Sequence, residues 1–301
     1  MTDRRSEIDV AKGLGIVLVV VGHSSIAVSH LAELVRLIYY FHVPLFFFLT
    51  GYSSRSGRTV GSVVNGRGKS LLVPYFFFLI LFTGLDVARG KIACSGWEDA
   101  ARIAMGVVYG VGDSIFFTPL WFLLHLFLVC VIAQFMVRTL GDRLGRRSTL
   151  FYIFGLYSLG VVLLINVRPV APFDFWVVDQ RVIVGFPWSL DLAPISLSFF
   201  FLGKWSRFID INGFPRYFWI WCLVGFLLVH YACAQEVDLN RRLFSGVFFP
   251  WLLATLGIAC VFFLSVCLLN SRGVSGLFAY LGGDVNLYFI VSCAHTGLDN
   301  W

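Results

Sequence analysis

Charge is what this sequence has least of. Only 13% of its 301 residues are Asp, Glu, Lys or Arg, against about 25% in an ordinary soluble domain. With 58% of the chain hydrophobic and a mean hydropathy of +0.84, a water-soluble fold would have more apolar surface than its interior could hide. Long polar stretches are missing as well. The widest gaps between apolar blocks, Arg89 to Thr118 and Asn166 to Ser189, are roughly 25 to 30 residues and hold apolar runs themselves, which is too little for a separate domain. Residues 1–301 therefore read as one membrane domain.

Several catalytic and metal-binding signatures are absent too. The cysteines, Cys94, Cys130, Cys222, Cys233, Cys260, Cys267 and Cys293, are odd in number and have no CxxC spacing. They read as small hydrophobes, not as a disulfide framework or a zinc site. No His-x-x-x-His or Glu-paired spacing points to a metal. Without a G-x-S-x-G elbow or a Walker sequence, the commonest serine-hydrolase and nucleotide-hydrolysis readings fall away. The N-terminal string MTDRRSEIDVAKGLGIVLVVVGHS has the outline of a signal peptide. However, Asp3, Glu7 and Asp9 and the lack of a small-x-small cleavage site argue for an uncleaved first span.

What the chain does have is apolar blocks of about 16 to 24 residues, each long enough to cross most or all of roughly 30 Å of hydrocarbon as a helix. They are continuously apolar, not alternating, which favours a helix bundle over a barrel. The expected fold is an all-α bundle of about nine spans: Leu14 to Ser29, Leu34 to Tyr52, Ser70 to Ala88, Leu120 to Val137, Leu150 to Asn166, Leu190 to Phe208, Tyr217 to Ala234, Ser245 to Leu269 and Leu277 to Thr296. Ala100 to Tyr109 is too short to cross and is expected to lie in the interface or re-enter. A cytoplasmic N-terminus puts 15 of the 23 Lys and Arg residues inside, the bias that membrane insertion requires. The same distribution explains the net charge of +6 without nucleic acid as a partner. No internal repeat supports an inverted-repeat transporter.

Ionisable groups within spans are costly and mark candidate sites. His23, in Val20-Val21-Gly22-His23-Ser24, is expected about 15 Å into the first span. It reads either as a buried histidine bonded to a neighbouring helix or as a functional base. His42 precedes Pro44, which frees a backbone carbonyl one turn earlier. Its ring either satisfies that carbonyl or joins His23 in a shared polar site. His125 and His230 also fall inside spans, and Trp121 is by default an interface anchor. Arg55, Arg58, Arg67 and Lys69, in the loop Ser53 to Lys69, read as solvated positive-inside charge or as a docking patch for a phosphorylated donor such as coenzyme A.

The strings IDVAKGLGIVLVVVGHS, FHVPLFFFLTGYSS, LLVPYFFF, PLWFLLHLF and SLDLAPISLSFFFLGKW, in this order and spacing, resemble the acyltransferase 3 family over about residues 7 to 295. The likeness is greatest to its sugar O-acetyltransferase branch. The resemblance implies a multi-pass bacterial plasma-membrane enzyme of about ten helices. Such an enzyme carries acetyl from cytoplasmic acetyl-CoA, its co-substrate, to hydroxyls of surface or lipid-linked carbohydrates. The family's mark is a basic residue, ten residues and a histidine in the first helix. Lys12 and His23 match it, with Lys where Arg is commoner.

The resemblance implies His23 as general base, His42 as its orienter or an acceptor ligand, and Lys12, Arg67 and Lys69 as donor-binding residues. An acetyl-histidine relay stays open beside the general-base route. Asp9, one turn before Lys12, is expected to cap the helix or pair with Lys12. The family usually has a further helix after the segment matching Gly282 to His295, so the expectation is a truncated chain or an absent last helix. The competing reading is an exporter of glycan or lipid-linked sugar that uses the same cavity without acyl transfer.

Overall fold

The computed structural model describes residues 6–55, 57–140, 146–167, 185–209, 213–233, 236–244, 246–269 and 271–283. The first helix, α1 (Ser6–His23), begins with Glu7 and Asp9 in its first turn, where carboxylates suit the positive end of the helix dipole. It stops at Ser24, which is extended (φ −73°, ψ 128°), and a short α2 (Ser25–His30) follows. The break lies inside the segment expected as one span, Leu14 to Ser29. Next comes α3 (Ala32–Tyr52), which continues through Pro44.

Thr59 caps α4 (Val60–Arg67) by accepting from the Ser62 N–H at 3.2 Å. A π turn over Gly68–Leu72 then leads into α5 (Val73–Ala88). Pro74 has no N–H to donate to the carbonyl four residues back, and the π turn re-registers the ladder there. The loop expected to run from Ser53 to Lys69 is therefore helical from Val60 onward. Arg67 and Lys69 belong to a continuous rod of 29 residues. At 1.5 Å per residue the rod is about 43 Å long, and roughly 20 residues fill the hydrocarbon. Counting back from Ala88, this leaves Arg67 and Lys69 at the membrane edge.

The remaining helices are α6 (Trp97–Tyr109), α7 (Trp121–Leu140), α8 (Arg146–Val167), α9 (Ala193–Ser206), α10 (Arg216–Cys233), α11 (Phe248–Leu268) and α12 (Arg272–Gly283). Between α10 and α11 the chain forms a small hairpin, β1 (Val237–Asp238) against β2 (Leu243–Phe244), with Val237 opposite Phe244. Among the described residues five helical segments are long and apolar enough to cross a bilayer: Ala32–Tyr52, Val60–Ala88, Thr118–Thr139, Ser148–Asn166 and Phe248–Leu268. Tyr217–Cys233 and Gly273–Gly282 are shorter apolar helices.

The chain is an all-α membrane protein, and the other segments of the expected nine fall short of these criteria for specific reasons. Glu7, Asp9 and Lys12 sit in α1, and α9 has 14 residues, preceded by a 3-10 stretch over Pro187–Leu192. The last expected span continues to Thr296, beyond the described residues.

At the centre is α3, packed against α1, α9 and α11. Glycines set its distance from α9. Gly51 meets the Phe200 carbonyl and Gly203 meets the Phe48 carbonyl, so that a Cβ on either would overlap backbone. Gly13 and Gly282 do the same between α1 and α12, against Phe278 and Asp9. Small residues are what bring helices together in lipid, where burying apolar side chains gives no driving force and close van der Waals packing must. Far less of Val60–Ala88 and Ser148–Asn166 is buried than of α3, so their faces are those left for lipid.

As expected, α6 is too short to cross. Trp97, Ala101, Ala104, Met105 and Val108 fall on one face by helical spacing, with Trp97 84% exposed. The Ser95 N–H and hydroxyl both donate to Asp99 at 2.9 Å and hold its carboxyl below the usual range. Trp188 Nε1 donates to the Val108 carbonyl (2.9 Å) and the Tyr109 hydroxyl to the Gly185 carbonyl (2.7 Å), tying α6 to the segment that precedes α9.

Candidate functional site

The break after α1 decides where His23 stands. It is the last residue of that helix, about 25 Å along it from Ser6 at 1.5 Å per residue. The sequence placed it mid-span. Gly22 beside it packs within van der Waals reach of Ile38 and Tyr39 on α3, so the end of α1 lies directly on the central helix.

The structure brings the two expected histidines together. The rings of His23 and His42 are 6.2 Å apart between centroids and nearly perpendicular. Tyr39 closes the group, at 5.9 Å from His23 and 4.9 Å from His42. His42 is buried, while His23 and Tyr39 are half-buried. Nδ1 of His42 lies 3.0 Å from the Ile38 carbonyl. A carbonyl can only accept, so Nδ1 carries the proton, and Nε2 is the nitrogen that can accept when the ring is neutral. The carbonyl freed by Pro44 belongs to Tyr40, so the expected pairing of His42 with that freed group is not the one formed.

Lys12 sits one helical turn from Asp9, with Nζ 3.5 Å from the carboxylate, as the sequence suggested. It lies eleven residues before His23 on the same helix, about 16 Å away. Arg67 is half-buried, whereas Lys69 is exposed. The basic loop before α4 is fastened from two sides. Gln134 donates to the Arg58 carbonyl at 2.8 Å, and Arg207 donates to the Ser54 carbonyl.

Three polar groupings escaped the sequence. In the first, Arg242 is clamped on Asp191, with Nε to Oδ2 at 3.0 Å and Nη2 to Oδ1 at 3.3 Å, both side chains 1% exposed. The guanidinium also reaches the Ser189 hydroxyl (3.2 Å) and the Asn240 carbonyl (2.7 Å), and the Phe186 N–H donates to Asp191 (2.9 Å). Trp188 and Ser189 adopt positive φ (59° and 54°) in this turn, a conformation that costs side-chain-bearing residues energy. His125 stands beside it with both ring nitrogens engaged, Nδ1 to the Trp188 carbonyl at 3.1 Å and Nε2 to the Ser196 hydroxyl at 2.8 Å. Trp121 stacks on His125 and is 5% exposed. It is core packing, not an interface anchor, because that face of α7 is turned into the bundle.

The second grouping runs from Glu33 through His230 to Tyr40: Glu33 Oε2 to His230 Nε2 is 3.2 Å, and His230 Nδ1 to the Tyr40 hydroxyl is 3.1 Å. The third is Asp238 on β1, which is 22% exposed and accepts from the Arg241 N–H at 3.0 Å. The sequence signals were His125 and His230 within spans and an acidic residue, Asp191, between Leu190 and Leu192. Asp238 pairs locally with Arg241, but the main pairings of the first two groupings join residues about 50 to 200 positions apart, which no local pattern reports.

The fold and this site define a helical membrane protein with two histidines facing each other where its first helix ends on its central one. The acyltransferase 3 family model, described as an acyltransferase domain, matches residues 5–290. The chain belongs to that family. No curated protein and no solved structure matches it.

Proposed function

We propose that this acyltransferase moves an acetyl group from cytoplasmic acetyl-CoA to a hydroxyl of a cell-surface or lipid-linked carbohydrate. The observation that carries the reading is the His23–His42–Tyr39 group at the junction of α1 and α3. A sugar hydroxyl is a weak nucleophile, and an imidazole within hydrogen-bond reach can take its proton as the oxygen attacks. His23 takes that proton, the acceptor oxygen bonds to the thioester carbonyl carbon, and the C–S bond breaks. The proton then passes from His23 to the departing thiolate, so the histidine ends as it began. His42, its tautomer fixed by Ile38, orients the group or binds the acceptor.

Lys12, Arg67 and Lys69 are the donor-side residues. The length of the 60–88 rod supports a position at the membrane edge for Arg67 and Lys69, and Lys12 lies about 16 Å from His23 along α1. Coenzyme A is a long ligand with its phosphates at one end and its thioester at the other, so contacts at the edge and at His23 suit a single molecule. The orientation that fits has the N-terminus in the cytoplasm and the chain threading the plasma membrane about nine times. His23, about 16 Å beyond Lys12 at the far end of α1, is then the part of the site farthest from the cytoplasm, on the side from which the acceptor arrives.

The test is acetyl transfer from labelled acetyl-CoA in membranes containing His23→Ala, with inserted protein measured alongside. Transfer should fall by about 10²-fold or more. Undiminished transfer would remove His23 as the base, and movement of unmodified glycan without use of acetyl-CoA would favour the exporter.

A further inference from the structure

The turn that joins α3 to α4 has little regular structure of its own and is held from outside. Gly57 turns the chain at φ 83°, in the left-handed region that glycine enters freely, and glycine is also the residue with most freedom to lose. Directly after it, the Arg58 carbonyl accepts from Gln134 Nε2 on α7 at 2.8 Å. Gln134 lies seven residues beyond Phe127, so the two fall on one face of α7. Phe127 packs beside Gly68, the residue between Arg67 and Lys69. With α4 packed along α7, one face of α7 thus meets the chain at both ends of α4. Arg207, at the end of α9, donates to the Ser54 carbonyl on the other side of the turn. What these contacts fix is a run of cations. Residues 34–85 contain no Asp or Glu, and among the described residues no carboxylate pairs with Arg58, Arg67 or Lys69. Arg58 is exposed, and the eight residues of α4 put it about 12 Å from Arg67.

We infer that Gln134 is a positioning residue for donor binding: through the Arg58 backbone it holds the Arg58 guanidinium where the donor's phosphates arrive, alongside Arg67 and Lys69. The inference rests on the acyl-transfer reading above. Coenzyme A carries a ribose phosphate as well as a diphosphate, so it presents anions at separate places, and cations spaced along α4 suit it. Ordering a turn built on Gly57 costs conformational entropy each time the donor binds. A turn already held by Gln134 has less to lose, so the bond tightens donor binding without touching the reacting carbonyl. Its effect therefore falls on KM for the donor and not on kcat.

Gln134→Met keeps the bulk of the side chain and removes its N–H. In the full chain, assayed in membranes, it should raise KM for acetyl-CoA about 3- to 10-fold, with kcat and KM for the acceptor unchanged. Arg58→Gln keeps the carbonyl and loses the charge, and it should raise the same KM. Adding Gln134→Met to Arg58→Gln should raise it no further, because Gln134 acts through a guanidinium no longer present. An unchanged KM for acetyl-CoA in Gln134→Met would overturn the role. So would a fall in kcat, an equal rise in KM for the acceptor, or an undiminished effect in the Arg58→Gln background. The unaltered protein separates the two readings. If it moves no acetyl from acetyl-CoA, the acyl-transfer reading itself falls, whereas an active protein beside a Gln134→Met variant of normal KM removes only Gln134.

Discussion

Arg242 shows how a buried charge is made tolerable. Its guanidinium spends its donors on Asp191, Ser189 and Asn240, and it fills the space where a Cβ on Gly185 would stand. Such a pair is weak evidence for net stability, since apolar residues of similar volume often do as well. Removing one partner is costly, because it strands the other charge, at roughly 3–5 kcal/mol. Arg242→Met should therefore lower the unfolding temperature of the detergent-solubilised protein. The double replacement Arg242→Met with Asp191→Leu should regain much of that loss, and thermal unfolding of the three proteins checks it. His42 makes the opposite point. Its ring is fixed by a single bond to Ile38, within its own helix, so its tautomer does not depend on the rest of the bundle.

Among elements, the contact between α3 and α9 has the least room to change. Gly51 and Gly203 each face a backbone carbonyl of the other helix, and backbone cannot swing aside as a side chain can. Gly51→Val should force the helices apart at about 1–3 kcal/mol or more, seen as a lower unfolding temperature and less inserted protein. On α5, by contrast, a Cβ on Gly84 would stand in open space, with no neighbouring atom of the described residues within 4 Å, so Gly84→Ala should leave both unchanged. The break between α1 and α2 is the element-scale event that matters most for the site. Had α1 run on to Ser29 as its apolar pattern suggested, His23 would lie partway along a helix. The extended Ser24 instead makes it the terminal residue.

For the whole molecule, the proposed orientation has a direct consequence for two exposed cysteines. Cys94 follows the end of α5, and Cys267 sits at the end of α11. With a cytoplasmic N-terminus and successive crossings, Cys94 lies outside and Cys267 inside. In single-cysteine variants, a membrane-impermeant maleimide should label Cys94 in intact cells and Cys267 only after permeabilisation. The reverse pattern would invert the topology and turn Lys12, Arg67 and Lys69 away from a cytoplasmic donor.

Much of this protein followed from its composition and local order. Continuous apolar runs in lipid must become helices, because every backbone N–H and C=O needs a partner that the bilayer does not supply. The spacing from Lys12 to His23 likewise sets their separation wherever the helix is unbroken. The pairing of His23 with His42 was suggested by adjacent spans, and its geometry needed the bundle. The tertiary structure alone decided that α1 stops at His23, that Arg67 and Lys69 belong to a helical rod and not a loop, and that Trp121 faces inward. It also decided that Asp191, Arg242, Glu33 and His230 find the partners they do. The physical reason is that helix formation is a local, repeating event written in the order of residues. Satisfying a polar group within a membrane protein depends on which distant element is packed against it, and that is settled only when all the helices are in place.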